Sequence, residues 1–236
     1  MSMLIFDAGP IISLTTNNLL WIIEELKKRF EGEFVITSAV KQELIDRPLQ
    51  TKKYKFEALQ VAPLLGSGIL NVRDIRGLKT KTISLATLGN SIFRAKNKNI
   101  KIIHDGELES LALYALSGAK ALVMDERITR MLIEEPLQLG DRLKKRLHTP
   151  IDIDRNRLRR FQQEVGEIRI IRSVELVTVA YELGILDRYM LPQNAKYVRN
   201  IKSSLIEAVL WGVKLNGCAV SEEEIKEIVQ LEKAKR

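Results

Sequence analysis

Two short apolar runs each stop at an aspartate: Met3-Leu4-Ile5-Phe6 before Asp7, and Ala121-Leu122-Val123-Met124 before Asp125. Unbroken apolar runs this short suit strands buried on both faces, and the residues after each run return to helical spacing. Two further stretches, Phe34-Val35-Ile36-Thr37 and Ile168 to Ile171, read as strands. Strands alternating with helices predict a parallel sheet covered on both faces, a three-layer α/β/α sandwich.

The helices between these strands are marked by periodicity and caps. Gly9-Pro10 turns the chain into a first helix, and Asn17 or Asn18 is placed to cap a second with Leu19, Ile22, Ile23 and Leu26 on one face. Lys27-Lys28-Arg29 suits that helix's C-terminus. Ser38 is read as the cap of a helix carrying Val40 and Leu44. In the middle segment Phe56 to Leu64 is read as a helix, Ile69 to Ile75 as a strand and Ile83 to Lys98 as a helix. Leu108, Leu111, Ala112, Ala115 and Leu116 keep strict helical spacing up to Gly118, and a short helix with Ile128, Met131 and Leu132 ends before Pro136. Val174 to Leu183 is a helix stopped by Gly184. Residues 195–233 read as wholly helical, with a break at Gly217 and a Ser221-x-x-Glu224 capping box. Residues 137–168 are charged and poor in apolar periodicity, and they read as an insertion. The expected organisation is a domain over 1–194 with a charged insertion at about 137–168, and a helical C-terminal extension over 195–236 packing on it.

A chain of 236 residues can bury one core, or one core with a helical lobe. The single cysteine, Cys218, excludes an internal disulfide framework and a zinc site built from several thiolates. His104 and His148 leave little for a histidine-based site; Trp21 and Trp211 fall on apolar helical faces and read as core. The opening residues carry no basic segment of a signal peptide, and no run approaches the roughly 18 apolar residues of a membrane helix. The expected location is cytoplasmic. A net charge of +8 favours phosphate-bearing partners.

Ligand sites of open parallel sheets lie beyond the C-terminal ends of the strands, so Asp7 and Asp125 should share one edge. Glu43 borders the buried stripe marked by Val40 and Leu44, and Glu107 precedes the first turn of a strongly amphipathic helix. Taken singly, an acid after a strand is equally well a helix cap, as Asp125 is placed to be. Taken together, four carboxylates in one cleft would repel each other and take up protons unless a cation neutralised them. Mg²⁺ or Mn²⁺, which prefer oxygen ligands, are the natural choice. Asp105 and Glu126 read better as helix-start or surface acids; Glu109 is open between that role and the cluster.

Four stretches resemble the motifs of PIN-domain proteins. Asp7-Ala8-Gly9-Pro10-Ile11-Ile12-Ser13-Leu14 is similar to the opening motif, and Thr37-Ser38-Ala39-Val40-Lys41-Gln42-Glu43-Leu44 to the second. Gly106-Glu107-Leu108-Glu109-Ser110-Leu111-Ala112-Leu113 resembles the third, and Val123-Met124-Asp125-Glu126-Arg127 with Arg130 the fourth. Ser173-Val174-Glu175-Leu176 to Gly184-Ile185-Leu186, and Leu215-Asn216-Gly217 to Glu223, resemble the tail of a prokaryotic PIN subgroup. The resemblance implies a PIN-like fold and an endoribonuclease dependent on Mg²⁺ or Mn²⁺, with Asp7, Glu43, Glu107 and Asp125 as catalytic and metal-holding residues. Asp105 and Glu109 would be peripheral, and Ser13 or Ser38 would hydrogen-bond a ligand carboxylate. It further implies RNA as partner, with a homodimer or an antitoxin-like protein as further partners, and the helical tail as a surface for such contacts.

Two basic stretches are placed to hold RNA phosphates. One contains Arg142, Lys144, Lys145, Arg146, Arg155, Arg157, Arg159 and Arg160; the other contains Arg73, Arg76, Lys79, Lys81, Arg94, Lys96, Lys98 and Lys101. Each is equally readable as a solvated face. The rival reading of the whole is a catalytically silent PIN scaffold that binds RNA or assembles with other proteins. A phospho-acceptor domain would need an acidic pair after the first strand, where this chain has one acid. Neither a Gly-x-Gly-x-x-Gly turn nor a Walker-type Gly-Lys-Ser/Thr occurs, which excludes the common nucleotide-binding loops.

Overall fold

The computed structural model describes residues 2–191 and 197–235. Five strands form a parallel sheet among the described residues: β1 (Ser2–Phe6), β2 (Gly32–Ile36), β3 (Leu70–Val72), β6 (Ala121–Val123) and β8 (Ile170–Ile171), in the order β3-β2-β1-β6-β8. A second, antiparallel sheet joins β4 (Phe93–Ala95), β5 (Lys98–Asn99) and β7 (Asp152–Ile153). The main sheet is apolar on both faces, with side chains alternating between two cores. Phe6, Phe34, Ile36 and Val123 point to one core; Ile5, Val35 and Leu122 point to the other.

The first core is closed by α1 (Ala8–Thr16), α2 (Trp21–Arg29), α5 (Lys55–Gly66), α11 (Ser173–Glu182), α12 (Ile201–Leu215) and α13 (Glu222–Ala234). The second is closed by α6 (Leu78–Gly89), α7 (Asp105–Ser117), α8 (Arg127–Glu134), α9 (Pro136–Leu147) and α10 (Arg155–Val165). The result is the expected α/β/α sandwich with C-terminal helices. No helix among the described residues is long and apolar enough to cross a membrane.

Several local expectations are corrected. Residues 137–168 are not poor in apolar structure: Leu139 and Leu143 of α9, and Leu158, Phe161 and Val165 of α10, are buried in the second core. Their spacing was hidden because the positions between them within each helix are glycine, polar or charged. Neither Asn17 nor Asn18 caps α2; Asn18 takes a left-handed turn at φ 56° and its carbonyl accepts from the Trp21 indole. The helix at Ser38 is α3 (Ser38–Lys41), and its cap is Thr37, whose hydroxyl accepts from the Val40 amide at 3.3 Å. The strand at Ile69–Ile75 shrinks to β3, and Ile83–Lys98 is helical only to Gly89 before β4 begins. Within 195–233 the helices are α12 and α13, with the Ser221 capping box, while residues 197–200 form turns and not helix; residues 195–196, and the boundary at 194 and 195, lie outside the described residues.

Candidate active site

The acids are brought together by the sheet edge and three elements beyond it. β1 and β6 pair Phe6 with Val123, and the Asp7 amide donates to the Val123 carbonyl at 2.9 Å. Asp7 and Asp125 therefore leave neighbouring strands at one edge. The Asp7 side chain is 5% exposed, and its pKa is pushed up from 3.8 to about 7. Burial is the largest cause, followed by the negative charges of Glu107 and Glu43; the amides of Ala8 and Gly9 work the other way. Glu43 reaches the cluster from Gln42–Asp46, a wide π-helical turn between α3 and α4 (Arg47–Leu49). Such turns recur at functional sites.

Glycine allows the close approach. A Cβ on Gly106, in the first turn of α7, would stand 3.1 Å from Glu43 Oε2 and 3.9 Å from Asp7 Oδ1. A Cβ on Gly9 would stand 3.5 Å from the Asp125 Cβ and 3.8 Å from Asp7 Oδ2.

Two carboxylates are anchored by neighbours that the sequence reading passed over. Thr129 of α8 donates to Glu107 Oε2 at 2.5 Å, and the His104 amide donates to the same oxygen at 3.3 Å. Burial raises the Glu107 pKa, against both of these hydrogen bonds. The Ser173 amide, at the head of α11, donates to Asp125 Oδ1 at 2.8 Å, while Oδ2 is buried with no hydrogen-bond partner among the described residues. Burial raises the Asp125 pKa, and the charge of Glu175 adds to it. Cys218, beyond α12, lies against the same carboxyl; burial, then the Asp125 charge, pushes its thiol to about 12. A signal for Thr129 was present in the sequence: it is a hydroxyl residue on the same buried stripe as Leu132. Ser173 carried a weaker one, as the first polar residue of the helix that follows a strand.

Other candidates are placed elsewhere. Glu126, not Asp125, caps α8, accepting from the Ile128 amide at 2.9 Å. Glu109 accepts from the Ala39 amide at 2.6 Å and so pins the head of α3 to α7. Asp105 is exposed and pairs with Lys101 at 3.6 Å. The Ser13 hydroxyl donates to the Val213 carbonyl at 3.4 Å, in place of a ligand carboxylate, and Ser38 is exposed at the start of α3. Among the cations, Arg157 is tied to Asp154 and the Ser91 carbonyl, Arg73 to Glu33, and Lys81 to Glu164. Lys144, Lys145, Arg159 and Arg160 are exposed on α9 and α10. Arg146 and Lys101 line one pocket with His104 and Glu126, beside the heads of α7 and α8.

A family model described as PIN domain matches residues 3–136, more than half of the chain and all four of these acids. The chain belongs to the PIN-domain family. PIN domains are usually nucleases and generally use divalent metals. The match ends where α9 begins. No curated protein and no solved structure matches the chain.

The donors of this PIN domain fit a hard divalent ion in chemistry: all are carboxylates, and a buried one has further carboxylates as its neighbours. As they stand, no three His, Cys, Asp or Glu side chains among the described residues form a group that could hold an ion. Mg²⁺ commonly binds through only one or two carboxylates and keeps several of its waters, so these acids remain suited to it.

Proposed function

We propose that the protein is a divalent-metal-dependent endoribonuclease, and that Asp7, Glu43, Glu107 and Asp125 hold Mg²⁺ or Mn²⁺ at the sheet edge. The observation that carries this reading is Asp7: a carboxyl buried among Glu43 and Glu107 and driven up to about 7. Burying one carboxylate among others costs stability, and a divalent cation removes that cost. When bound, such an ion supplies positive charge to the phosphodiester and eases deprotonation of the attacking water.

The chain's own residues then have distinct parts. Thr129 and the Ser173 amide fix the directions of Glu107 and Asp125, so that these carboxylates need little reorganisation. Lys101 and Arg146 line a neighbouring pocket with His104 and Glu126 and draw in the phosphate backbone, as hydrolysis requires a held strand. Water adds to phosphorus and gives up a proton, the bond to the departing oxygen breaks, and that oxygen takes up a proton.

The test is cleavage of single-stranded RNA in Mg²⁺ or Mn²⁺, with chelator and with Asp7→Asn and Asp125→Asn. Activity that vanishes with chelator and falls at least a hundredfold in Asp7→Asn supports the reading. Activity that survives both rejects it. The second reading, a silent scaffold that binds RNA, is favoured by the absence among the described residues of three His, Cys, Asp or Glu side chains grouped to hold an ion; RNA binding without turnover in either metal would establish it.

A further inference from the structure

A cavity of about 480 Å³ opens beside the acidic cluster, and Glu43 belongs to both. Buried Leu44 and Val61, with Ile12, give it an apolar lining to which half-buried Glu57 adds a carboxylate, while Arg47, Lys53 and Tyr54 stand exposed at its edge. Tyr54 is 49% exposed and sits at φ 62°, a left-handed conformation uncommon for a bulky residue. The Lys53 ammonium lies 4.5 Å from the Tyr54 ring centroid. An aromatic plate, two cations and an apolar recess are the parts with which proteins hold unpaired bases.

We propose that this cavity takes one unpaired nucleobase of a single-stranded RNA, stacked on Tyr54, with Arg47 and Lys53 on the adjoining phosphates. The inference rests on the nuclease reading, since it seats the base next to the bond that the acidic cluster would cut. The exposed ring of Tyr54 beside Arg47 and Lys53 favours RNA over an apolar peptide segment as occupant. A phosphate chain would pair with Arg47 and Lys53 at the edge, and a divalent ion held at Glu43 would offset the lining carboxylates Glu43 and Glu57. An apolar peptide uses neither. The cavity also sets a preference, because a base in a duplex reaches it only after unpairing and unstacking.

The test uses the full chain carrying Asp7→Asn, which is to bind without cutting, and short oligoribonucleotides with 2-aminopurine scanned along their length. Expected are quenching of the fluorophore at one position and an affinity loss of about tenfold when Tyr54→Ala is added. Tyr54→Phe restores both, and Phe56→Ala, an exposed aromatic outside the cavity, changes neither. An abasic site at the quenched position weakens binding in the parent but not in the Tyr54→Ala protein; this arm leaves the protein intact should Tyr54→Ala misfold. Equal affinity for single strand and duplex, or binding indifferent to every abasic position, overturns the proposal. Tyr54-independent binding alongside metal-dependent cleavage by the wild type rejects the cavity and keeps the nuclease. Tyr54-dependent stacking without any cleavage rejects the nuclease and keeps the base site.

Discussion

Asp7 is where stability and chemistry oppose each other. Its carboxyl holds a proton up to about pH 7 in the folded protein, against 3.8 ordinarily, so between those values the native state binds more protons than the unfolded chain. Unfolding free energy of the metal-free protein therefore falls as pH rises through this window, and the loss is complete above about 7. Asp7→Asn should abolish cleavage yet raise metal-free stability at neutral pH by an amount on the order of a few kcal/mol, and flatten the pH slope. Thermal melts with and without Mg²⁺ check this; a less stable Asn variant contradicts it. Gly106→Ala separates the same two quantities. The new methyl would stand 3.1 Å from Glu43 Oε2 and displace that carboxylate, while alanine suits a helix better than glycine. Activity should drop at least tenfold with stability unchanged or raised by about 0.5–1 kcal/mol, as measured by denaturant titration.

At the scale of elements, the C-terminal helices are fastened close to the acids. Arg172 bonds the Ala219 carbonyl at 3.1 Å and Glu224 Oε1 at 2.9 Å, and it also pairs with Glu175 of α11. Arg172→Met should cost about 2 kcal/mol, since these charged hydrogen bonds are only partly exposed to water, and should speed hydrogen exchange in α13 more than elsewhere. Uniform exchange would show that the clamp does not act locally. The helices α9 and α10 were legible as charge and not as core: Leu158, Phe161 and Val165 follow a helical stripe, but Arg155, Arg157, Arg159 and Arg160 dominate the segment. Phe161→Ala should therefore destabilise by roughly 3–5 kcal/mol, as a fully buried ring does.

Over the whole molecule, the net charge of +8 had pointed to phosphate partners, and pairing sorts the cations into roles. Arg73, Lys81 and Arg157 are engaged internally, whereas Arg146 lines the pocket beside the acidic cleft together with Lys101, despite the latter's pair with Asp105. Lys101→Glu with Arg146→Glu should weaken RNA binding and reduce the slope of log affinity against log salt by about 1.4, that is ~0.7 for each lost phosphate contact. Binding titrations over a range of salt concentrations check this; an unchanged slope places the RNA elsewhere.

The sequence determined the layers of this PIN domain and the edge at which its acids meet. Apolar runs ending in Asp7 and Asp125 are a one-dimensional signal, because a buried parallel strand has to be apolar along its length and has to end in something that tolerates the edge. Which hydroxyls and amides steer those acids was decided only by tertiary packing. Thr129 and Ser173 become partners of Glu107 and Asp125 because α8 and α11 dock where they do, 22 and 48 residues away in the chain. The same holds for Glu109 and Ser13, which motif position placed near the site and which the fold commits to the Ala39 amide and the Val213 carbonyl. Strand positions and burial follow from local composition, whereas strand order and the direction of a side chain depend on neighbours that the chain brings from afar.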